Sequence, residues 1–453
     1  MNLFEIGKKQ SLQKTVRVLV YPNITFQKDI EKDSYIQVIT NQIKILNEIR
    51  DDLWFYLILP CPVSSLNFDN VTQWFVDLPT YPQTMRSHFD VFKIQKMLNS
   101  EYDFDVVMSH LPEHTHALKN VLYNVTHHIP PVFGYCHWFD LKNVVAWPKD
   151  SFIQNITGLL EYERCYLNTK YQKNLVLNQA KETFNDKTIR RLNDILTVQH
   201  LGVEPDDITN DINPNPKKII VFNHRPDAYK HFNNFIKIID DLWKDRQDFL
   251  VWIPLLTEKL NKSYITNDKG NKEWYYNKLK ECCVGFSPKQ KYGGWSVATT
   301  DGMMNGVPYI MYNEDYYKEL YNDADFFSTN TQAVSLLNKY LNNTEYRNEQ
   351  AKKSLNHMKK NLVYRNKIVE MNDYMNELLS SQKEIKDGQK LYEIIDWIKT
   401  IKSVSKSEIL DNLNWGRGIK WTPYRRALMK HPNIYDVNSE EPTYKWKELG
   451  INE

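Results

Sequence analysis

Cysteine is scarce and without pattern in this chain. Cys61, Cys136, Cys165, Cys282 and Cys283 make an odd count with no Cys-x-x-Cys spacing, which argues against a disulfide framework or a thiolate zinc site and for reduced thiols packed in the interior. Net charge is almost absent as well. Fifty-eight Lys and Arg stand against 56 Asp and Glu, so affinity for a polyanion has to come from a local patch. Long apolar runs are missing: no stretch approaches the roughly 20 apolar residues that span a bilayer, and Met1 to Gln13 has no apolar core of signal-peptide length. These absences point to a cytoplasmic protein without a membrane partner. At 453 residues the chain is too long for one comfortable core and implies two or three domains.

What is present is an alternation of strand and helix signals. Strands are expected at Val16 to Tyr21, Trp54 to Leu59, Val106 to Met108 and Val132 to Cys136. Helical spacing appears at Ile36, Ile39, Ile43, Leu46 and Ile49, at Val91 to Leu98 and at Thr115 to Tyr123. Glu161 to Arg164 is placed in a helix ahead of a short strand at Cys165 to Asn168, and Thr169-Lys170 caps the helix that follows. Alternation of this kind implies a parallel sheet, whose ligands bind beyond the carboxyl ends of the strands. Ser109-His110 and His137 to Asp140 occupy such positions. Asp206 to Pro216, rich in Asp, Asn and Pro, reads as a linker. It divides a first Rossmann-like domain, 1–205, from a second, 206–384, whose last part, 345–384, is helical.

The second unit opens on Lys218 to Asn223 and its first strand ends at His224-Arg225-Pro226; Lys230 precedes the helical apolar positions Phe232, Phe235, Ile236, Ile238 and Ile239. Two fixed cations, Arg225 and Lys230, at one strand end suit a phosphate ligand. Further along, Gly293-Gly294-Trp295-Ser296-Val297-Ala298-Thr299-Thr300-Asp301 reads as a phosphate-binding turn running into a short helix. The Gly pair permits an unusual backbone path, and the small residues bring the N–H groups of Ser296, Val297 and Ala298 close to an anion. Asp301, in the first turn, can reach a sugar hydroxyl. Gly306 then ends the helix in a left-handed cap, Val307-Pro308 forbids continuation, and Tyr309 to Met311 is the next buried strand. The same stretch also suits a helix whose small side chains merely pack on a sheet. His110, Glu113, His114 and His116 match metal-ligand spacing poorly and read as an acceptor-side wall or a solvated helix start.

The last segment, 385–453, changes character. Leu391 to Ile401 gives a helix, Ser405-Lys406-Ser407-Glu408 is a capped start to a second, Thr422 to Lys430 gives a third, and Asn433 to Trp446 reads as a two-stranded ribbon. That is the order of a winged helix-turn-helix. Arg417, Lys420, Arg425, Arg426 and Lys430 supply the local basic patch the rest of the chain lacks. The same residues also fit a small helical tail with a solvated basic face.

Together these features resemble the GT-B glycosyltransferases, and among them the retaining family that includes many bacterial and phage nucleotide-sugar enzymes, over about Val16 to Tyr364. The resemblance implies an α/β fold of two Rossmann-like domains facing a cleft, with the winged-helix-like domain appended. His137 is similar to the family's His that contacts the transferred sugar, and Gln199 to Glu204 to its interdomain Pro-Asn-Gly-Val-Asp segment. Arg225 and Lys230 are similar to the pair that grips the pyrophosphate. Gly293, Gly294, Trp295, Ser296, Val297 and Ala298 stand at the donor turn, and Asp301 stands where the family has its ribose-binding Glu. Two departures are visible. The first Glu of the family's Glu-x7-Glu falls on Gly293, and the Gly-Gly turn after the first strand is replaced by Pro22-Asn23. The implied chemistry uses His137, Arg225 and Lys230 as catalytic residues, with no metal or other cofactor.

Chain and tail together resemble bacteriophage DNA-modifying glucosyltransferases. The expectation is a monomer that moves glucose from UDP-glucose to the hydroxymethyl group of 5-hydroxymethyluracil or 5-hydroxymethylcytosine in duplex DNA, in the host cytoplasm. One alternative is a glycosyltransferase acting on a cell-envelope glycan or lipid acceptor. The other, favoured by Gly293, is a non-catalytic DNA-binding sensor of nucleotide sugars.

Overall fold

The structure, a computed structural model, describes residues 15–24, 30–76, 89–98, 104–126, 129–136, 138–142, 149–258, 260–290, 294–386, 389–401, 403–412, 428, 434–436 and 443–446. It divides into two compact units, 1–371 and 372–453.

The first unit contains two parallel sheets. Strands β1 (Val16–Tyr21), β2 (Leu53–Leu59), β3 (Val71–Phe75), β4 (Val106–Ser109), β5 (Val132–Tyr135), β6 (Arg164–Leu167) and β7 (Leu196–Val198) form one in the order β3-β2-β1-β4-β5-β6-β7. Strands β8 (Lys217–Val221), β9 (Leu250–Trp252), β10 (Ile265–Thr266), β11 (Cys282–Ser287), β12 (Tyr309–Tyr312) and β13 (Asp325–Phe327) form the other in the order β10-β9-β8-β11-β12-β13. Both sheets reverse direction of growth beside their first strand, at β1/β4 and at β8/β11. The crevice outside the carboxyl ends at such a reversal admits ligands, because the connections on either side leave in opposite directions there. The residues just beyond those four strand ends are therefore the candidates for a ligand site.

Strand chemistry fixes the layers. Ile220 and Phe222 pack with Phe235 and Ile239 on one face of the second sheet, while the alternate residues Ile219 and Val221 pack with Met303, Tyr309 and Leu355 on the other. Side chains of period two thus bury both faces, as a doubly covered parallel sheet requires. Four of the five cysteines, Cys136, Cys165, Cys282 and Cys283, are buried free thiols and Cys61 is half-buried.

Three differences from the sequence reading have physical causes. Glu161 to Arg164 is not helical: the helix Lys149–Leu159 has ended, the Glu163 N–H donates to the Val132 carbonyl at 2.7 Å, and Arg164 already pairs with Phe133 in β6. Sheet pairing has captured a locally helix-favouring run. The edge strand β3 went unseen because Val-Thr-Gln-Trp-Phe is half polar, and only its parallel register against Phe55 to Leu59 defines it. The two-residue strand β10 is too short to carry a pattern.

After the second sheet the chain crosses back. The Val203 N–H donates to the Leu362 carbonyl at 2.8 Å and the Tyr364 N–H to the Val203 carbonyl at 2.9 Å, and the helix that starts at Tyr364 lays Arg365 against Glu48 of the first sheet's layer.

The second unit has its own core of Ile394, Ile398, Val404, Ile409, Leu428, Ile434 and Tyr444. Its elements are the helix Gln389–Ile401, β14 (Ser403–Ser405), the helix Lys406–Asn412, β15 (Ile434–Asp436) and β16 (Thr443–Trp446). The expected ribbon is the antiparallel pair β15 and β16, and β14 adds a third strand in the order β14-β16-β15. The expected capped start is made by Ser405 and Glu408: the Ser405 N–H donates to Glu408 Oε2 at 2.6 Å and the Glu408 N–H to Ser405 Oγ at 3.3 Å. No helix among the described residues is long and apolar enough to cross a membrane.

Candidate active site

The expected donor residues gather at the carboxyl edge of the second sheet. β8 leads into Phe222-Asn223-His224-Arg225, and β11 into Pro288-Lys289-Gln290. Between them lies the amino end of the helix Val297–Met304, whose N-cap is Ser296. The Ser296 side chain accepts from the Thr299 N–H, and the Thr299 hydroxyl in turn sits 2.8 Å from Ser296 Oγ and 2.7 Å from Ser287 Oγ. This ties the helix start to the end of β11. Ser296 Oγ is thereby committed to the cap, whereas the N–H groups of Val297 and Ala298, in the first turn, have no carbonyl four residues back to receive them. They lie at the positive end of the helix, a place where an anion is favoured. The half-buried backbone of this turn leaves Val297 half exposed.

One side chain holds that helix at its height. Asn223 Nδ2 donates to the Ala298 carbonyl at 2.6 Å and to Tyr275 Oη at 2.9 Å, and its Oδ1 accepts from Tyr309 Oη at 3.0 Å. Tyr309 reaches it only because Gly302 has no side chain, since a Cβ there would lie 2.1 Å from the Tyr309 ring. At the other end Gly306 takes φ +76°, as expected for a left-handed cap, and the Val307 N–H closes on the Gly302 carbonyl at 3.0 Å.

Asp301 lies in the second turn of the helix and not, as expected, in the first, because the helix already starts at Val297; there Tyr275 Oη donates to its Oδ2 at 3.3 Å. Desolvation raises its carboxyl to about 7, against the Tyr275 hydrogen bond and the Lys272 charge, which favour ionisation, while Asp207 opposes it. Tyr275 and Tyr276 line the same recess, their hydroxyls pushed up first by burial and then by Asp301. A carboxyl raised by burial and lying beside Tyr275 is suited to exchange hydrogen bonds with hydroxyl groups.

The two expected cations are placed differently. Lys230 is mostly buried. Its ammonium donates to Gln290 Oε1, and burial together with the Arg225 charge lowers it to about 8. Arg225 is 71 % exposed, 3.9 Å from Asp227. Both cations flank the Tyr229 ring, at 5.7 Å for Arg225 and 5.3 Å for Lys230. Gln290 is fixed in turn: its Nε2 donates to Tyr317 Oη at 2.8 Å and its N–H to Tyr316 Oη at 3.0 Å. His224 lies buried beside them, with Nε2 unpartnered among the described residues, and burial followed by the Lys230 charge holds it neutral, well below its ordinary range. His231, next to Lys230, takes the left-handed conformation at φ 48°, a strained backbone that turns the chain into the helix Phe232–Asp245.

The first sheet contributes a second line of residues. His110, beyond β4, donates from Nδ1 to the Tyr135 carbonyl at 2.7 Å and is lowered to about 4 by burial. Tyr135 Oη donates to Asn168 Oδ1, and the Asn168 carbonyl accepts from His200 Nδ1 at 2.7 Å. His200 then stacks on Trp295, ring centroids 5.3 Å apart at 22°. The expected interdomain segment and the donor turn are therefore in direct contact. His110, Glu113, His114 and His116 do not converge. His114 meets Tyr21 Oη at 3.1 Å and His116 faces Glu161 at 3.6 Å, and no set of metal ligands forms among the described residues. His137 and Gly293 lie outside the described residues, as do Arg417, Lys420, Arg425, Arg426 and Lys430.

Gly294, Trp295, Ser296, Val297, Ala298, Asp301, Arg225 and Lys230, singled out in the sequence, all lie at this edge of the second sheet. Asn223 was legible only as a strand end; Tyr275, Tyr276 and Gln290 gave no signal, because they enter the site from a helix face and a loop that carry no motif.

No protein-family model and no curated protein matches the sequence. Solved structures do match in fold. A UDP-forming α,α-trehalose-phosphate synthase from Burkholderia xenovorans superposes with TM-score 0.58 and 10 % identity over 80 % of this chain and 99 % of its own. HepE from Anabaena, in complex with UDP and glucose, superposes with TM-score 0.55 and 10 % identity over 81 % of this chain and 99 % of its own. TarM superposes with TM-score 0.51 and 12 % identity over 65 % of this chain, which spans only 59 % of the length of TarM. The fold is GT-B, two parallel-sheet α/β domains.

Proposed function

We propose that this GT-B chain is a hexosyltransferase that uses a UDP-sugar, with UDP-glucose as donor and a hydroxymethylated pyrimidine of duplex DNA as acceptor. The observation that carries the donor half is the convergence, at one strand-order reversal, of a buried ammonium, the open N–H groups of a helix start and a carboxyl raised to about 7. Lys230, with the Val297 and Ala298 N–H groups, faces the diphosphate. Asp301 and Tyr275 face the ribose. The neighbouring HepE structure holds UDP and glucose, and the trehalose-phosphate synthase is UDP-forming, which supports a UDP-sugar as the donor class.

In the reaction the bond from the anomeric carbon to the β-phosphate oxygen breaks, and a new bond forms from that carbon to the acceptor hydroxymethyl oxygen. Negative charge grows on the departing UDP. Lys230, Arg225 and the helix N–H groups stabilise it, and the acceptor proton ends on the phosphate oxygen. This division needs no metal. His137 is assigned to orienting the donor sugar.

The acceptor half is supported by the second unit. A helix, a strand, a second helix and two further antiparallel strands around their own core are compatible with a winged helix-turn-helix; its expected third helix, Thr422 to Lys430, lies outside the described residues apart from Leu428, and Arg417, Lys420, Arg425, Arg426 and Lys430 belong to the sequence between the second helix and the ribbon. Phosphate contacts from such a unit hold the duplex while a base is extruded into the cleft.

The test is transfer of label from UDP-glucose to duplexes carrying 5-hydroxymethyluracil, 5-hydroxymethylcytosine or neither. Label on a modified duplex alone supports the reading. Donor hydrolysis without DNA labelling redirects it to an envelope glycan or lipid acceptor. Binding of UDP-glucose without any turnover leaves the nucleotide-sugar sensor.

A further inference from the structure

The helix Lys170–Ala180 of the first α/β domain begins against the second. Its N-cap Thr169 accepts from the Gln172 N–H at 3.0 Å, which leaves the two preceding N–H groups to be satisfied elsewhere. Both are taken by one carboxylate: the Lys170 N–H donates to Glu319 Oε2 at 2.6 Å and the Tyr171 N–H to Glu319 Oε1 at 2.7 Å. A carboxylate on a helix start gains from hydrogen bonding and from the helix dipole together. This one belongs to the short helix Asp315–Leu320 that follows β12.

Three side chains of that short helix act in one direction. Tyr316, one turn from Glu319, packs edge-on against Tyr171 with centroids 5.3 Å apart, and its hydroxyl accepts the Gln290 N–H. Tyr317 donates to the Pro288 carbonyl at 2.9 Å and accepts from Gln290 Nε2. Gln290 Oε1 accepts from the Lys230 ammonium. Both ends of the Gln290 side-chain amide are thus committed, one to Lys230 and one to the helix that carries Glu319. Displacement of this helix moves Gln290, and with it the only described hydrogen-bond acceptor for the buried ammonium.

We propose that Glu319 is a positioning residue: its grip on the amino end of the helix Lys170–Ala180 couples engagement of the two α/β domains, through Tyr316, Tyr317 and Gln290, to the alignment of Lys230 on the donor diphosphate. The inference rests on the reading of Lys230 as a phosphate ligand. Coupling of this kind is reciprocal. A diphosphate that fixes Lys230 steadies Gln290 and the helix Asp315–Leu320, and so strengthens the clasp at Lys170 and Tyr171. Loss of the clasp frees that helix and weakens the diphosphate.

Two probes, UDP and inorganic pyrophosphate, are titrated calorimetrically into the full chain and its Glu319→Ala, Glu319→Asp, Gln290→Ala and Lys230→Ala variants. Amide exchange at residues 170–172 is followed with and without each probe. The wild type is expected to slow exchange there by about fivefold or more when either probe binds, a typical size for coupling between sites. Glu319→Ala is expected to lose that response and to bind both probes about fivefold more weakly, with Glu319→Asp restoring part of each. A merely structural Glu319 would raise exchange equally with and without probe, and that result overturns the proposal. So does unchanged probe affinity in Glu319→Ala while Gln290→Ala and Lys230→Ala bind weakly. If Lys230→Ala and Gln290→Ala both bind like the wild type, the phosphate assignment of Lys230 itself falls.

Discussion

His200 and Trp295 stack at 22° with their centroids 5.3 Å apart, one from the exit of the first sheet and the other from the turn that opens the donor helix. His200 is held from behind by the Asn168 carbonyl, so the ring is a fixed surface. Removing the indole removes a contact of about 0.5–1.5 kcal/mol between the two halves of the cleft. Trp295→Ala is expected to lower kcat/KM for UDP-glucose hydrolysis or transfer about three- to tenfold, and Trp295→Phe to stay near the wild type. Equal losses in both would show that the stack itself is unimportant.

With Asp301 as the proposed ribose ligand, stability and UDP binding should both depend on pH. The Asp301 carboxyl is raised to about 7 in the fold from an ordinary value of 3.8. The folded state therefore holds the proton that the unfolded chain releases, and stability is lost as pH rises through that interval. Asp301→Asn should raise the Tm at pH 8 and change it little near pH 4. Ribose hydroxyls donate to the ionised form, so UDP affinity in the wild type should increase as pH rises through about 7. Calorimetry across that range should find this slope missing in Asp301→Asn, with UDP bound about tenfold more weakly above it.

Lys230 and Arg225 separate on burial. The Lys230 ammonium is mostly buried, whereas Arg225 is 71 % exposed and free to exchange with water. Lys230→Ala is expected to cost about 2–4 kcal/mol of transition-state stabilisation and Arg225→Ala about 1–2 kcal/mol, read from kcat/KM. Burial lowers the Lys230 ammonium to about 8. Phosphate favours the charged form, so UDP affinity should fall as pH rises above that value, and this limb should vanish in Lys230→Ala.

Gly202 marks the place where the chain crosses back between the domains. A Cβ there would lie 2.4 Å from the Tyr364 Cα, inside the ladder that joins Val203 to Leu362 and Tyr364. Gly202→Ala should destabilise the first unit by about 1–3 kcal/mol through overpacking. Denaturant unfolding checks it, and an unchanged midpoint would mean that the crossing accommodates the methyl.

Truncation after Lys386 keeps the whole helix Tyr364–Lys386 and removes the three-stranded unit. UDP binding and donor hydrolysis should persist, while duplex binding should weaken and lose its steep dependence on salt. Equal DNA affinity with and without residues 387–453 would remove the unit's proposed role.

The sequence by itself determined which segments are strands and helices wherever one short window carried the whole signal. The runs Val16–Tyr21, Lys217–Val221 and Tyr309–Tyr312 each carry a stretch of consecutive apolar residues that is buried in its strand. Ser296, Gly306 and Pro308 set the ends of the donor helix by local backbone chemistry alone. Asp301 was singled out by its place between those marks, and Arg225 and Lys230 by their place after the strand that opens the second domain. Tertiary structure decided everything that depends on partners remote in sequence. It turned Glu163-Arg164 into the sheet, because Val132 and Phe133 offered hydrogen bonds that a helix could not outbid. It covered most of Lys230 and left Arg225 in water, so that two like charges with one expected role stand in different surroundings. It also brought Tyr275 to Asp301 and Glu319 to Lys170, pairs 26 and 149 residues apart, since burial and hydrogen bonding act across space while a sequence window sees only neighbours.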